Sequence, residues 1–160
     1  MSWRRFGLAV LAAVHILAPS PSLAQDGVAW EVGTQKNTDF ADLPIDRWSR
    51  LTLFCQVRSD GTSGGLTLSS PPFQTQVRNG EAYGLNVVVD GQRESFILTA
   101  RGTELGFEAR DINQRLQLAR WVEQLLHGRR IDLALSSIGW RQSQIIANPE
   151  ALEGLMDRCL

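Results

Sequence analysis

The sequence predicts an α+β domain: a small antiparallel β-sandwich or open barrel with two helices, the last one C-terminal. Three observations carry this. Short runs of alternating apolar and polar residues recur from residue 51 to residue 109, the period of half-buried strands. Turn pairs such as Asp90-Gly91 separate them at hairpin spacing. Residues 111–159 then read helix, strand, strand, helix. Runs of strands followed by helices, with no regular β-α alternation, point to α+β rather than a doubly wound sheet.

Residues 1–24 stand apart from the fold. Arg4 and Arg5 precede an apolar run over residues 6–18, and Ser22-Leu23-Ala24 places small residues where a signal peptidase reads. The run is shorter than a membrane span and is closed by Pro19 and Pro21. The expectation is a secretory signal cleaved before Gln25, leaving residues 25–160 as one exported domain, periplasmic or secreted, with no membrane span after cleavage. Gln25 in place of a cysteine argues against a lipid anchor.

In chain order, residues 28–32 predict a short strand anchored by Trp30. The polar stretch 33–50 reads as a loop with Phe40 and Trp48 as packing points. Residues 51–57 form a strand with Leu51, Leu53, Cys55 and Val57 on one face. Residues 59–65 read as a flexible hairpin loop, 66–68 as a short return strand, and 69–80, with Pro71-Pro72 and Asn79-Gly80, as loop. Strands at 83–89, 94–100 and 105–109 follow as a meander.

Asp111 and Gln114 can form a capping box at a helix start. Ile112, Leu116, Ala119, Val122, Leu125 and Leu126 give that helix an apolar face, and Gly128 a left-handed stop. Ile131, Leu133 and Leu135 alternate in a strand that residues 136–139 turn and residues 140–146 return. Asn148-Pro149-Glu150 reads as cap, first-turn proline and N-terminal acid of a last helix. Leu152, Leu155, Met156 and Cys159 lie on its inner side.

The chain carries 16 basic and 17 acidic residues, and Lys36 is its one lysine. Loss of Arg4 and Arg5 makes the remainder more acidic, and no clustered basic footprint of a nucleic-acid binder remains. Cys55 and Cys159 are the two cysteines. In an exported chain they predict a disulfide.

Chemistry-bearing motifs are sparse. After the signal, His127 is the one histidine, and it sits at a helix end where the dipole favours a cation. No G-x-S-x-G accompanies it. Asp39, Asp42 and Asp46 lack calcium-loop spacing and read as a solvated loop. Gly61 to Gly65 lacks the G-K-[ST] ending of a phosphate loop. Glu81, Asp90, Glu94, Glu104 and Glu108 sit at turns or on polar strand faces, where solvation accounts for them. The expectation is a domain with no catalytic residue, metal or cofactor. Arg129, Arg130 and Trp140 are the candidate partner-binding residues, although helix-end electrostatics accounts for the arginines and burial for the tryptophan.

Trp30 in the opening strand, Leu53-Phe54-Cys55, the Asp90-Gly91 hairpin, residues 125–133 (LLHGRRIDL), and Ala151-Leu152-Glu153-Gly154-Leu155 ahead of Cys159 resemble the VasI/TagO-like periplasmic proteins associated with type VI secretion. The invasion-associated locus B group has a similar plan. The resemblance implies a periplasmic β-rich accessory of a cell-envelope machine with a protein partner, and it transfers no active-site residue. The rival classes are a periplasmic enzyme inhibitor, favoured by an exposed loop with an anchor side chain, and a hydrolase, favoured by a deep pocket with two facing acids.

Overall fold

The computed structural model describes residues 27–155, 157 and 159; the expected signal segment and cleavage site lie outside them. Nine strands form one antiparallel sheet: β1 Glu31–Gln35, β2 Thr38–Pro44, β3 Arg50–Arg58, β4 Gly61–Ser69, β5 Ala82–Val89, β6 Gln92–Arg101, β7 Glu104–Glu108, β8 Arg130–Leu135 and β9 Trp140–Ile145. Their spatial order is β1-β2-β3-β4-β7-β6-β5-β8-β9. Helix α1 spans Phe73–Gln76 and α2 spans Ile112–His127. The α+β class with an open antiparallel sheet agrees with the sequence reading.

An odd number of alternating strands leaves the first and last running the same way. Val28, just ahead of β1, accordingly meets Ile146, just after β9, in a parallel bridge. Val28 N–H donates to the Ile145 carbonyl at 2.8 Å, and Ala147 N–H donates to the Val28 carbonyl at 2.9 Å. The sheet therefore curls until its two ends touch at one point.

The curl encloses the core. Alternate residues of β3 to β8 point inward, among them Leu51, Leu53, Leu66, Leu68, Leu85, Phe96, Leu98, Leu105 and Ile131, all fully or almost fully buried. Helix α2 lays Leu118, Trp121, Val122 and Leu125 on that inner face. Trp121 tilts against Phe96 at 5.1 Å, and Phe96 meets Phe107 edge-on at 5.2 Å. The buried stripe is thus rotated from the expected one, and Ile112 (67% exposed) and Leu116 (54%) face solvent. Trp121 is the largest apolar side chain of the helix, and burying it sets the rotation. The capping box forms as read: Asp111 Oδ1 accepts from Gln114 N–H at 2.9 Å, and Gln114 Oε1 accepts from Asp111 N–H at 3.4 Å. Gly128 is extended rather than left-handed. Its glycine is required by a close approach, since a Cβ would stand 2.2 Å from Val89 Cγ1.

Residues 33–50 are not a loop. They contain most of a β1–β2 hairpin, in which Ala41 and Leu43 are buried. Its polar appearance comes from the outward-facing half of each strand. Residues 61–65 likewise belong to β4, with Gly64 and Gly65 opposite Cys55 and Phe54. Within 69–80, Phe73 nucleates α1 and packs edge-on against Trp140 at 5.7 Å.

The C-terminal segment departs most from expectation. Pro149–Leu152 makes a short 3-10 turn, not a full α-helix. Asn148 does not cap it. Its side chain bonds the backbone of Trp30 instead, accepting from the N–H at 2.6 Å and donating to the carbonyl at 3.1 Å. Leu152, Leu155 and Cys159 are nevertheless buried. The expected disulfide joins Cys55 to Cys159, with Cα atoms 5.7 Å apart across 104 residues of sequence.

Candidate functional site

The outward face of β1 to β4 carries the most distinctive surface, and it begins at the β2–β3 corner. Ile45 N–H donates to the Ser49 carbonyl at 2.9 Å, closing the turn. Asp46 Oδ1 accepts from the N–H groups of Trp48 and Ser49, each at 2.7 Å, an arrangement that Asp favours in turns. Ser49 Oγ meets Ser70 Oγ at 2.8 Å in a buried pair that ties the corner to the chain leaving β4. Partial burial works against ionisation of Asp46, but the Trp48 amide, the Ser49 side chain and the Ser49 amide outweigh it, and the carboxyl is held below its ordinary range.

This corner displays Trp48. Its ring is 68% exposed, whereas Trp30, Trp121 and Trp140 are at most 7% exposed. The Arg47 guanidinium lies 4.8 Å from the ring centroid, in cation–π range. Read from sequence as a packing point, Trp48 is instead the wall of a shallow hollow of about 800 Å³ on the sheet face. The floor follows from strand register. Phe40 and Phe54 are cross-strand partners on β2 and β3. Each lies over a glycine of the neighbouring strand: a Cβ on Gly33 would stand 2.7 Å from the Phe40 ring, and one on Gly65 would stand 2.5 Å from Phe54. The glycines let both rings lie flat on the sheet.

The adjoining row is polar. Asp42, Thr52 and Thr67 stand opposite one another across β2, β3 and β4. Asp42 accepts from the Thr52 hydroxyl and from Arg50 Nη1, the latter at 3.0 Å. Phe54, Thr67 and Glu104 also line a second hollow of about 340 Å³ over β6 and β7, where Ile97 is 65% exposed. Glu104 is exposed, and among the described residues its carboxylate has no hydrogen bond or ion pair.

The residues singled out from sequence lie elsewhere. Trp140 is buried. Arg129 and Arg130 are exposed beyond α2, and their N–H groups both donate to the Asp90 carboxylate at 2.9 Å. Arg130 also pairs with Asp132 at 3.2 Å. The Ser143 hydroxyl and, against partial desolvation, Arg130 hold the Asp132 carboxyl below its ordinary value. His127 is exposed, with Nδ1 3.0 Å from the Glu123 carbonyl and 3.6 Å from its carboxylate. Of the scattered carboxylates, Glu81 pairs with Arg78, Glu94 with Arg120 and Glu108 with Arg58. The three aspartates of the supposed loop are spread out: Asp39 accepts from Thr34 Oγ1, Asp42 lies on the hollow's floor, and Asp46 holds its corner.

No helix among the described residues is long and apolar enough to cross a membrane. Comparison with protein-family models, curated proteins and solved structures finds no match.

Proposed function

We propose that this chain is an exported, non-catalytic binding domain of the cell envelope, an accessory that presents the outer face of β1 to β4 to its partner. The observation that carries the reading is Trp48: a large aromatic ring held in solvent by a corner fixed by its own turn bonds and by the Ser49–Ser70 pair. Exposed aromatic anchors beside polar groups are the usual energetic centres of binding surfaces. The signal-like N-terminus and the disulfide suit a non-reducing compartment. The resemblance to VasI/TagO-like proteins belongs to the same proposal and extends it to a secretion machine.

The rival classes fit the geometry less well. Trp48 on its corner is an exposed anchor of the kind that favours an inhibitor, but it also walls a hollow with strand residues beside it, which favours a surface that receives. A glycosidase needs two available carboxyls flanking one bond. Here Asp42 is occupied by Thr52 and Arg50, and Asp46 by backbone amides, which leaves Glu104 alone.

Photo-crosslinkers at position 48 and at position 141, an exposed site on β9 outside both hollows, test the reading in the exported protein. Envelope adducts from position 48 and none from position 141 are expected. Adducts confined to position 141 would sink it.

A further inference from the structure

We infer that the ligand of the β1–β4 outer face is a neutral glycan chain, an inference that rests on the non-catalytic binding role proposed above. Four observations converge on this chemistry. First, the floor of the site lies on β2, β3 and β4, whose backbone groups are spent in the ladders on either side. A peptide that binds by adding a strand needs an edge; β2, β3 and β4, which carry the rings and the threonines, have none, and the edge strand β1 lies beside them.

Second, those side chains alternate in kind. The rings of Trp48, Phe40 and Phe54 give apolar, electron-rich faces, and Thr52, Thr67 and Glu104 give hydroxyls and a carboxylate between them. A pyranose has the matching pattern. Its axial C–H bonds make an apolar face with slight positive charge, which an aromatic face attracts, and its equatorial hydroxyls form a polar rim.

Third, the charges of the strip are mixed in sign and partly paired. Arg50 is paired with Asp42, Arg47 lies over Trp48, and Asp46 is satisfied by amides. In the second hollow Arg58 is paired with Glu108, and Glu104 stands directly across from Arg101 of β6 with Arg110 also in the lining, so neither sign dominates the strip and the Glu104 carboxylate serves as a strong acceptor for hydroxyl groups. Fourth, the two hollows share Phe54, Thr67 and Glu104, so they form one continuous strip. A strip several strands wide suits an extended chain of sugar rings better than a compact small molecule.

Trp48 supplies the assay. It is the exposed one of the four described tryptophans, so a ligand that stacks on it shifts the emission to the blue, and the Trp48→Ala protein is the blank. The exported protein is titrated with chitotetraose and cellotetraose, and the oligosaccharides are recovered and sized afterwards. The expected result is a saturable blue shift with at least one of them. The binding should weaken about tenfold or more in Trp48→Ala, read by calorimetry, and several-fold in Glu104→Gln, with the sugars recovered intact. Trp48 and Glu104 are both exposed, so neither substitution threatens the fold.

No response to either sugar would overturn the ligand class and leave the non-catalytic reading to a protein partner. Equal affinity in wild type and Trp48→Ala would overturn the site. Shortened oligosaccharides would uphold the ligand class and overturn the non-catalytic reading, with Glu104 the first residue to suspect.

Discussion

Asn148 completes the backbone of Trp30 as a neighbouring strand would, accepting from its N–H at 2.6 Å and donating to its carbonyl at 3.1 Å across 118 positions of sequence. The two residues lie next to the Val28–Ile146 bridge, so this side chain extends the one seam where the ends of the sheet touch. Asn148→Ala should cost about 1–3 kcal/mol, because it strands a backbone donor and acceptor in a partly buried place. Asn148→Asp keeps the acceptor and loses the donor, so it should fall between. Urea denaturation measures both; a neutral Asn148→Ala would show that the seam contributes nothing.

The Cys55–Cys159 bridge fastens the C-terminal segment to the centre of β3. With 104 residues between the cysteines, chain-entropy arithmetic gives an upper figure of about 4.7 kcal/mol. Because the segment is a 3-10 turn followed by further turns, it has little helical cooperativity of its own, and Leu152 and Leu155 rely on the bridge to stay docked. Replacing both cysteines with alanine should lower stability by about 2–5 kcal/mol and leave far-ultraviolet dichroism close to wild type. Thiol titration of the denatured, unreduced protein should find no free thiol.

Gly33 and Gly65 look alike in sequence and should respond differently to substitution. The three atoms nearest to a Cβ on Gly33 all belong to the Phe40 ring, the closest 2.7 Å away. A Cβ on Gly65 meets the Phe54 ring at 2.5 Å and the Phe107 carbonyl oxygen at 2.2 Å. A ring can turn aside, and a laddered carbonyl cannot. Gly33→Ala should therefore cost little in a Phe40→Ala background, while Gly65→Ala should stay destabilising by about 1–3 kcal/mol even in Phe54→Ala. Two double-mutant cycles decide it, and equal coupling in both would refute the distinction.

These glycines also show how far the sequence could be read. The strands from residue 83 onward and the capped helix were legible because period and turn chemistry agree there. The β1–β2 hairpin was hidden because its outward half is polar and its glycines imitate a loop; register alone reveals that each sits under a phenylalanine. The disulfide was legible from two cysteines and the expectation of export. Trp48 was misread as core because apolar character usually means burial. The signal that could have corrected it is local: Asp46 two residues ahead of Trp48 marks a turn, and a turn corner holds its side chains out. Asn148 was misread as a cap because nothing in a sequence says that a partner 118 positions away competes for the same side chain.

The Trp48 corner should loosen in acid. The Asp46 carboxyl is held below the ordinary value of about 3.9 by the Trp48 amide and Ser49, against the opposing effect of partial burial. A carboxyl depressed in the folded state binds its proton less readily there than in the unfolded chain. Its stabilising contribution is therefore complete above the ordinary value and is lost as pH falls through the lower, folded value. Asp132, depressed by the Ser143 hydroxyl and by Arg130, acts in the same direction in the same range. From pH 7 to about pH 5, then, neither group should change stability. As pH falls through that lowered folded value the corner should lose its two amide bonds to a charged oxygen, and Trp48 should become more mobile before the core melts. Fluorescence anisotropy of Trp48, taken as the difference between wild type and Trp48→Ala, follows this directly. Asp46→Asn keeps an acceptor for both amides and has no proton to gain, so its anisotropy should be lower than wild type at neutral pH and flat through the acid range. An acid transition that persists unchanged in Asp46→Asn would assign the loosening to another carboxylate.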